Sequence, residues 1–208
     1  MLPAREALAR LREGNRRFVA NLSAAPTDQA RRNELVSGQE PFAIILGCSD
    51  SRVPAELVFD QGFGDLFVIR VAGNIVAPSQ IGSIEFAAAR FGTRLVVVLG
   101  HSQCGAIVAT LEELLGKANT ESKNLRSIVD RVRPALEDLL AGPHDAEDSE
   151  RLIREAVLAN VRASVQQLRH GSELLERLID TDGLLVVGAK YSLASGIVTF
   201  FDGVPDGR

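Results

Sequence analysis

The stretch 42-FAIILGCSDSRVP-54 joins a short, unbroken apolar run to a group of chemically versatile side chains. An apolar run of this length that ends at glycine predicts a β-strand buried on both faces, as in a parallel sheet. Cys48, Asp50 and Arg52 follow at alternate positions, so an extended backbone would direct all three side chains the same way. The stretch therefore predicts a buried strand with a candidate site at its carboxyl end.

Other apolar runs along the chain have the same character and predict further strands. Together the predicted strands span residues 42–46, 66–71, 95–99 and 184–187, and residues 197–201 are able to add an edge strand. Amphipathic patterns predict helices at residues 79–91, 106–115 and 149–170. Because strands and helices alternate, the predicted fold class is α/β.

Two features interrupt the helical patterns in the second half of the chain. Pro134 is expected to end or kink one helix, because proline lacks a backbone N–H and crowds the preceding turn. Residues 141–150, AGPHDAEDSE, predict an exposed acidic loop that leads into the next helix.

Composition narrows the class of protein. The chain has 208 residues, of which 46% are hydrophobic, and this is enough for a single domain with a sizeable core. The net charge of -4 is spread along the chain, which predicts no nucleic-acid partner and no basic membrane anchor. No apolar run resembles a secretory leader or reaches the roughly 20 residues of a membrane-spanning helix, so we expect a cytoplasmic protein.

The N-terminal segment predicts a helix that begins near Pro3. Leu8, Leu11 and Phe18 lie on one stripe of this helix. A helix with an apolar stripe outside the alternating strands and helices must pack against something. The chain's own domain and a partner subunit are both candidates.

The cysteines of the chain each follow a predicted strand. Cys48 follows the first strand, and Cys104 lies three residues after His101, beyond the third strand. Ligands of open α/β sheets bind at the carboxyl ends of the strands, so these three side chains are candidates for one site. Two thiolates and an imidazole suit zinc and leave one position of a tetrahedron open, as in a catalytic site.

Other interpretations stay open from the residues alone. Each cysteine could be a small buried hydrophobe, and His101 could be a loop residue bonded to the backbone. Cys48 and Cys104 could instead form a redox-active disulfide, with Arg52 lowering the pKa of one thiol. A structural zinc site closed by a fourth protein ligand is a third alternative.

With these residues assembled, the chain resembles the β-class carbonic anhydrases. Two separated motifs carry the resemblance, CSDSRVP at residues 48–54 and GHSQCGA at residues 100–106. Further matches are GDLFVIRVAGN at residues 64–74, GSIEFA at residues 82–87 and VVGAKYSLASGIV at residues 186–198. The resemblance implies one domain over residues 1–208, an α/β/α sandwich around a central, mostly parallel sheet of four to five strands. It also implies that residues 1–35 form an N-terminal helical arm that packs on the partner subunit.

The same resemblance implies a carbonic anhydrase, a zinc lyase that hydrates carbon dioxide reversibly to bicarbonate and a proton. One zinc ion per chain would be bound by Cys48, His101 and Cys104. Zinc-bound hydroxide, oriented by an Asp50–Arg52 pair, would attack carbon dioxide. In a closed, inactive form, Asp50 would become the fourth zinc ligand. Hydrolysis of carbonyl sulfide or carbon disulfide occurs on the same scaffold and is an alternative activity.

The resemblance also indicates substrate-binding groups and an assembly. Gln39 matches a glutamine that hydrogen-bonds the substrate, and the N–H of Gly105 is a candidate donor to a bound anion. Ile75, Val76 and Ile81 are candidates for the wall of a narrow apolar pocket. Most members of the family are homodimers, homotetramers or larger assemblies, which implies that this chain associates with itself.

One departure from the family pattern bears on regulation. Members regulated by bicarbonate carry a second anion site built from a tryptophan, an arginine and a tyrosine. Arg70 and Tyr191 match the last two, but Ile45 occupies the tryptophan position. We therefore expect Arg70 to serve a structural ion pair or the subunit interface. Gln39 and the missing tryptophan favour the open form, in which zinc keeps a free coordination position.

Overall fold

The computed structural model describes residues 2–141 and 149–205. Its strands are β1 (Ala43–Gly47), β2 (Leu66–Arg70), β3 (Leu95–His101), β4 (Leu185–Tyr191) and β5 (Val198–Asp202). Its helices are α1 (Ala4–Val19), α2 (Gln29–Glu34), α3 (Ala55–Val58), α4 (Pro78–Arg90), α5 (Gly105–Leu114), α6 (Lys123–Ala141), α7 (Ser149–His170) and α8 (Glu173–Asp182). None of the helices in the described ranges is long and apolar enough to cross a bilayer. Most of the acidic loop predicted at residues 141–150 lies outside the described residues.

The strands form one sheet in the order β2-β1-β3-β4-β5. β1, β2, β3 and β4 are parallel to one another, and β5 pairs antiparallel with β4 at the edge. The predicted α/β class with a mostly parallel sheet is confirmed, and the stretch predicted as an edge strand forms β5. The helices predicted from amphipathic patterns are α4, α5 and α7.

Apolar layers cover both faces of the sheet, which explains why its strands do not alternate between polar and apolar residues. On one face, Leu95, Val97 and Leu99 of β3 belong to a cluster that includes residues of α1 and α3. On the other face, Val96 and Val98 belong to a cluster with residues of α4, α7 and α8. A third apolar cluster joins α5, α6 and α7.

α1 packs against the core of its own chain. Leu8 and Leu11 are both buried in the cluster on the α3 side of the sheet. Gly14 permits a close approach, since a Cβ at this position would lie 1.7 Å from the carbonyl oxygen of Phe59. The chain's own domain therefore covers the apolar stripe. A further contact of the 1–35 arm with a partner subunit stays a prediction.

Asn15 joins α1 to two other parts of the chain. Its side chain is buried, and Nδ2 donates to the carbonyl oxygens of Val58 at 3.0 Å and Gly196 at 2.9 Å. Its Oδ1 accepts a hydrogen bond of 2.8 Å from the backbone N–H of Val198. One amide side chain thus links α1 to α3 and to the start of β5.

Pro134 lies inside α6 and does not end it. Of the two outcomes expected for Pro134, the end of the helix is wrong and the kink stays a prediction. Val132 and Leu136 flank the proline and are both fully buried, each with 0% exposure. Their packing compensates for the hydrogen bond that proline cannot donate, because tertiary burial outweighs a local helix-breaking preference.

We expect Asn15→Ala to lower the free energy of unfolding at pH 7 by about 3 kcal/mol, because three backbone groups in two segments lose a partner at once. Urea unfolding of the metal-loaded protein, at one fixed protein concentration, measures this change. Glu13→Ala, at an exposed position on the same helix, is the control and should change the free energy by less than about 0.5 kcal/mol. Equal, small losses in both variants would show that Asn15 does not hold α1 in place.

Candidate metal centre

The candidate site lies where β1 and β3 end. These strands are parallel neighbours, with Gly47 beside Leu99. Cys48 directly follows β1, and His101 is the last residue of β3. β2 lies on the far side of β1 and β4 on the far side of β3, so the connections from the two strands diverge and leave a crevice at their carboxyl ends.

Cys104 completes a cluster of three potential metal ligands in this crevice. The side chains of Cys48, His101 and Cys104 are buried, and their ligand atoms all lie within 4.8 Å of one another. The two Sγ atoms are 3.9 Å apart and both cysteines are free. Two sulfurs bound at about 2.3 Å to a tetrahedral zinc ion lie about 3.8 Å apart, so this spacing fits one zinc ion.

The hydrogen bonds of His101 also fit a metal ligand. Its Nδ1 lies 3.0 Å from the carbonyl oxygen of Ser102, an acceptor, so Nδ1 carries the proton. Nε2 is then an unprotonated nitrogen, and it is buried without a hydrogen-bond partner. A buried acceptor without a partner costs free energy, and a bound metal ion removes that cost.

The two thiols share a proton. A hydrogen bond from the Cys104 thiol lowers the pKa of Cys48, and nearby backbone N–H groups lower it further. The same hydrogen bond, together with burial, raises the pKa of Cys104. The pair therefore loses a first proton readily and a second one with difficulty. A divalent cation supplies the charge that holds both sulfurs as thiolates.

Asp50 and Arg52 form a pair beside this cluster. Arg52 Nε donates to Asp50 Oδ1 at 2.9 Å, and Arg52 Nη2 donates to Oδ2 at 2.7 Å. The guanidinium holds the pKa of Asp50 well below its usual range, so Asp50 is a charged acceptor. Asp50 Oδ2 lies 3.8 Å from His101 Nε2. The carboxylate therefore borders the metal-binding nitrogen while Arg52 holds it.

Arg70 supports the same loop through its backbone. Its Nε donates to the carbonyl oxygen of Cys48 at 3.0 Å, and Nη2 donates to that of Asp50 at 2.6 Å. The structural ion pair expected for Arg70 is therefore replaced by hydrogen bonds to carbonyl groups. These carbonyls lie beyond the end of β1 and need donors from outside the sheet. A role of Arg70 at a subunit interface stays a prediction.

Comparison with known proteins identifies the family. The family model for carbonic anhydrase matches residues 43–198. The carbonic anhydrase of Mycolicibacterium smegmatis is 39% identical over 189 residues, which cover 90% of this chain and 88% of that protein. A crystal structure of a β-carbonic anhydrase from Aspergillus fumigatus superimposes with a TM-score of 0.73 at 26% identity, over 97% of this chain and 91% of that one. The chain belongs to the β-carbonic anhydrase family.

Other members of the family give the same result. Carbonic anhydrase 2 of Mycobacterium tuberculosis is 38% identical over 187 residues, 89% of this chain and 87% of that protein. One of two tetrameric β-carbonic anhydrases from Sordaria macrospora has a TM-score of 0.70 and 28% identity, over 82% of this chain and 85% of that one. The prediction of an enzyme of the carbonic anhydrase class is confirmed, and the Cys-His-Cys cluster fits the zinc site of such an enzyme.

The structure brings two of the predicted substrate-binding residues close to the metal ligands. Ile75 is buried in the apolar cluster that contains Cys48 and Cys104. Gly105 follows Cys104 directly, is exposed, and is the first residue of α5. Its N–H is one of the groups at the start of a helix that have no partner within the helix, as an anion donor requires.

The other predicted substrate-binding residues lie elsewhere in the chain. Val76 is buried with Ile84 in the cluster on the α4 side of the sheet, and Ile81 packs against that cluster. Ile75 and Val76 thus lie in different apolar clusters, and a pocket wall that includes Val76 or Ile81 stays a prediction. Gln39 is exposed and precedes β1, whereas the metal ligands follow it. The length of β1, about 16 Å, separates Gln39 from the site of its own chain.

The residues that match the bicarbonate-regulated pattern do not form a second anion site with a tryptophan. Ile45 is fully buried in the middle of β1, with 0% exposure. Tyr191 ends β4 beside His101 and packs against Phe18, with ring centroids 6.5 Å apart. The aromatic ring of Tyr191 is therefore part of the core that holds α1.

Sequence reasoning did not identify Gly73 as part of the metal centre. Its backbone N–H donates to Cys48 Sγ at 3.4 Å. Gly73 and Asn74 have φ angles of 70° and 44°, in the left-handed region. A Gly-Asn pair immediately after a strand is a pattern typical of such turns and could have indicated one here. The sequence contains no indication that this turn meets Cys48.

We expect the purified protein to contain one zinc ion per chain and Cys104→Ser to lose most of it, because a serine hydroxyl is a poor zinc ligand. Elemental analysis and thiol titration measure the two quantities. Thr110→Ser, a conservative change at a buried position of α5, is the control and should keep its zinc. Zinc-free wild type with a reversible Cys48–Cys104 disulfide would instead support the redox interpretation.

Proposed function

We propose that this chain catalyses the reversible hydration of carbon dioxide to bicarbonate and a proton, with one zinc ion bound by Cys48, His101 and Cys104. The observation that carries the proposal is a set of three buried ligands that leaves a fourth tetrahedral position open beside Asp50. Zinc bound there supplies a Lewis acid that lowers the pKa of water enough for nucleophilic attack near neutral pH.

In this proposal, Asp50 orients the nucleophile. Its carboxylate is charged and points to the cluster, so it can accept a hydrogen bond from the attacking oxygen and direct a lone pair toward carbon dioxide. Arg52 restricts the carboxylate by a bidentate contact, which is stronger and more directional than a single hydrogen bond. Arg70 holds the backbone of the same loop, so hydrogen bonds restrain both the main chain and the side chain of Asp50.

The same pair provides an inactive state. Arg52 is exposed, so solvent competes for its guanidinium, whereas Asp50 is half-buried next to the cluster. If Arg52 released Asp50, the carboxylate would be free to turn toward the ligand cluster, where it would serve as a further ligand to a bound metal ion. The distance of 3.8 Å from Asp50 Oδ2 to His101 Nε2 supports such a small movement.

The substrate pocket combines groups from more than one copy of the chain in this proposal. Ile75 supplies an apolar wall and the N–H of Gly105 a donor to bicarbonate, both from the chain that binds the zinc. Gln39 is too far from the metal ligands of its own chain, so it reaches the site of a second copy. A homodimer is the smallest assembly that satisfies this requirement, and a homotetramer contains it.

An exposed aromatic patch supports self-association. Phe86 is 53% exposed and contacts Phe67 and Phe91, next to the free edge of β2. Exposed apolar patches beside unpaired strand edges are typical of protein–protein interfaces. The two β-carbonic anhydrases from Sordaria macrospora are tetrameric, which agrees with this proposal.

We expect Asp50→Asn to retain zinc and to hydrate carbon dioxide about 100-fold more slowly than wild type, because an amide can turn a donor toward the nucleophile and loses the pair with Arg52. Stopped-flow hydration assays together with elemental analysis measure both properties. Asp138→Asn, an exposed carboxylate on α6, is the matched control and should keep wild-type activity.

An unchanged rate in Asp50→Asn would overturn the orienting role of Asp50. A wild type that binds zinc but hydrates no carbon dioxide at any pH would overturn the proposed activity. Parallel assays with carbonyl sulfide and carbon disulfide test the alternative substrates on the same preparation, and faster turnover of either one would assign the chain to that activity instead.

We expect light scattering to give a molar mass of two or four times 22.4 kDa for wild type and a smaller mass for Phe86→Glu, because a charge in an apolar interface is costly to desolvate. Leu125→Glu, at a position of α6 that is 58% exposed, is the matched control and should leave the mass unchanged. A wild-type protein that is monomeric at micromolar concentration would contradict the proposal that two copies of the chain share one substrate pocket.

A further inference from the structure

The turn Ala72–Asn74 connects β2 to α4 and contacts the metal centre. The N–H of Gly73 donates to Cys48 Sγ at 3.4 Å. Gly73 is buried, and a Cβ at this position would lie 3.1 Å from the Cβ of Ala106. The backbone of the turn thus lies close to Cys48, and a side chain at Gly73 would crowd Ala106.

Two polar side chains of α7 bind this turn. Asn160 and Ser164 are four residues apart, so they share one face of the helix, and they are only 3% and 4% exposed. Asn160 Nδ2 donates to the carbonyl oxygen of Gly73 at 2.9 Å. Ser164 Oγ donates to the carbonyl oxygen of Asn74 at 3.3 Å. Consecutive carbonyl groups of the turn are therefore held by one helix.

These hydrogen bonds restrict the turn that carries the N–H directed at Cys48. The Gly73 N–H lies in the peptide unit shared with Ala72, and the Gly73 carbonyl lies in the peptide unit shared with Asn74. The φ and ψ angles of Gly73 link these two units and are freer in glycine than in other residues, so a donor on the Gly73 carbonyl limits how far the N–H can turn. Water cannot easily replace that donor, because Asn160 is nearly inaccessible to solvent and Gly73 is buried beside the apolar side chains of Ala106 and Val132.

We propose that Asn160 is a positioning residue of the metal centre, which holds the Gly73 carbonyl so that the Gly73 N–H is directed at the Cys48 sulfur. A hydrogen bond to a thiolate ligand stabilises its negative charge and sets how strongly the sulfur donates to the metal. The proposal rests on the proposed function, in which Cys48 binds zinc. Asn160 itself touches neither the metal nor the substrate.

The test is metal binding by Asn160→Leu, which has a side chain of similar shape without the amide donor. We expect its zinc affinity, measured by competition with a chromophoric chelator, to fall about 10-fold, as is typical when a partner of a metal ligand is lost. In the cobalt(II)-loaded protein, we expect the thiolate-to-cobalt absorption bands to shift. A role that is only structural would not move these bands.

Val165→Ala is the matched control for lost stability. Val165 is fully buried on the same helix but belongs to the cluster on the α4 side of the sheet, away from the cysteines. We expect this variant to unfold more easily while its zinc affinity and cobalt spectrum stay as in wild type. Asn160→Ser is the second variant if Asn160→Leu does not fold, and it should show the same weaker affinity and shifted bands.

The outcomes separate this proposal from the proposed function. If wild type binds one metal ion and the Asn160 variants match it in affinity and spectrum, the positioning role is wrong while the zinc site stands. If Val165→Ala weakens zinc binding and shifts the bands as much as the Asn160 variants do, the effect belongs to general packing and the positioning role is also wrong. If wild type binds neither zinc nor cobalt, both the positioning role of Asn160 and the proposed function are wrong.

Discussion

The parallel pairing of β1 with β3 is the constraint on which the metal centre depends. It places Cys48 and His101 at adjacent strand ends, although 52 residues separate them along the chain. The neighbouring strands β2 and β4 lie on opposite sides of this pair, so the connections from β1 and β3 diverge and leave a crevice at the ends of these strands. Cys104 then enters the crevice as the cap of α5. A change in this strand order would leave three separate side chains instead of a ligand set.

Without a metal ion, the hydrogen-bonding and charge requirements of the groups at this centre are met only in part. His101 presents a buried nitrogen without a hydrogen-bond partner. The two thiols lose a first proton readily, but the second proton, which lies between them, is difficult to remove. One divalent cation resolves both problems, and its binding energy then contributes to the stability of the fold. In contrast, the side chains of Asp50 and Arg52 are more accessible to solvent. The candidate ligands thus lie inside the core, whereas the pair beside them lies at its boundary.

Much of the fold was predictable because it depends on local patterns. The apolar runs that form β1 and β3 have no polar residue to expose, and α7 follows the periodicity of its apolar residues closely. Pro134 indicated an end or a kink, and buried neighbours on both sides keep α6 continuous through this position. Arg70 was misleading, since its partners are backbone carbonyls that carry no sequence pattern.

The amino-acid sequence by itself predicted the candidate ligands Cys48, His101 and Cys104, the Asp50–Arg52 pair and the α/β class, because residue types and their positions at the ends of apolar runs indicate each of them. Only the tertiary structure decided which distant groups support them. Asn160 lies 112 residues beyond Cys48, and its effect passes through the backbone of Gly73. The separation of Val76 from Ile75 and of Gln39 from the metal ligands is likewise a consequence of packing. Hydrogen bonds to backbone atoms and the choice between two faces of a sheet depend on three-dimensional contacts, which residue identity alone does not specify.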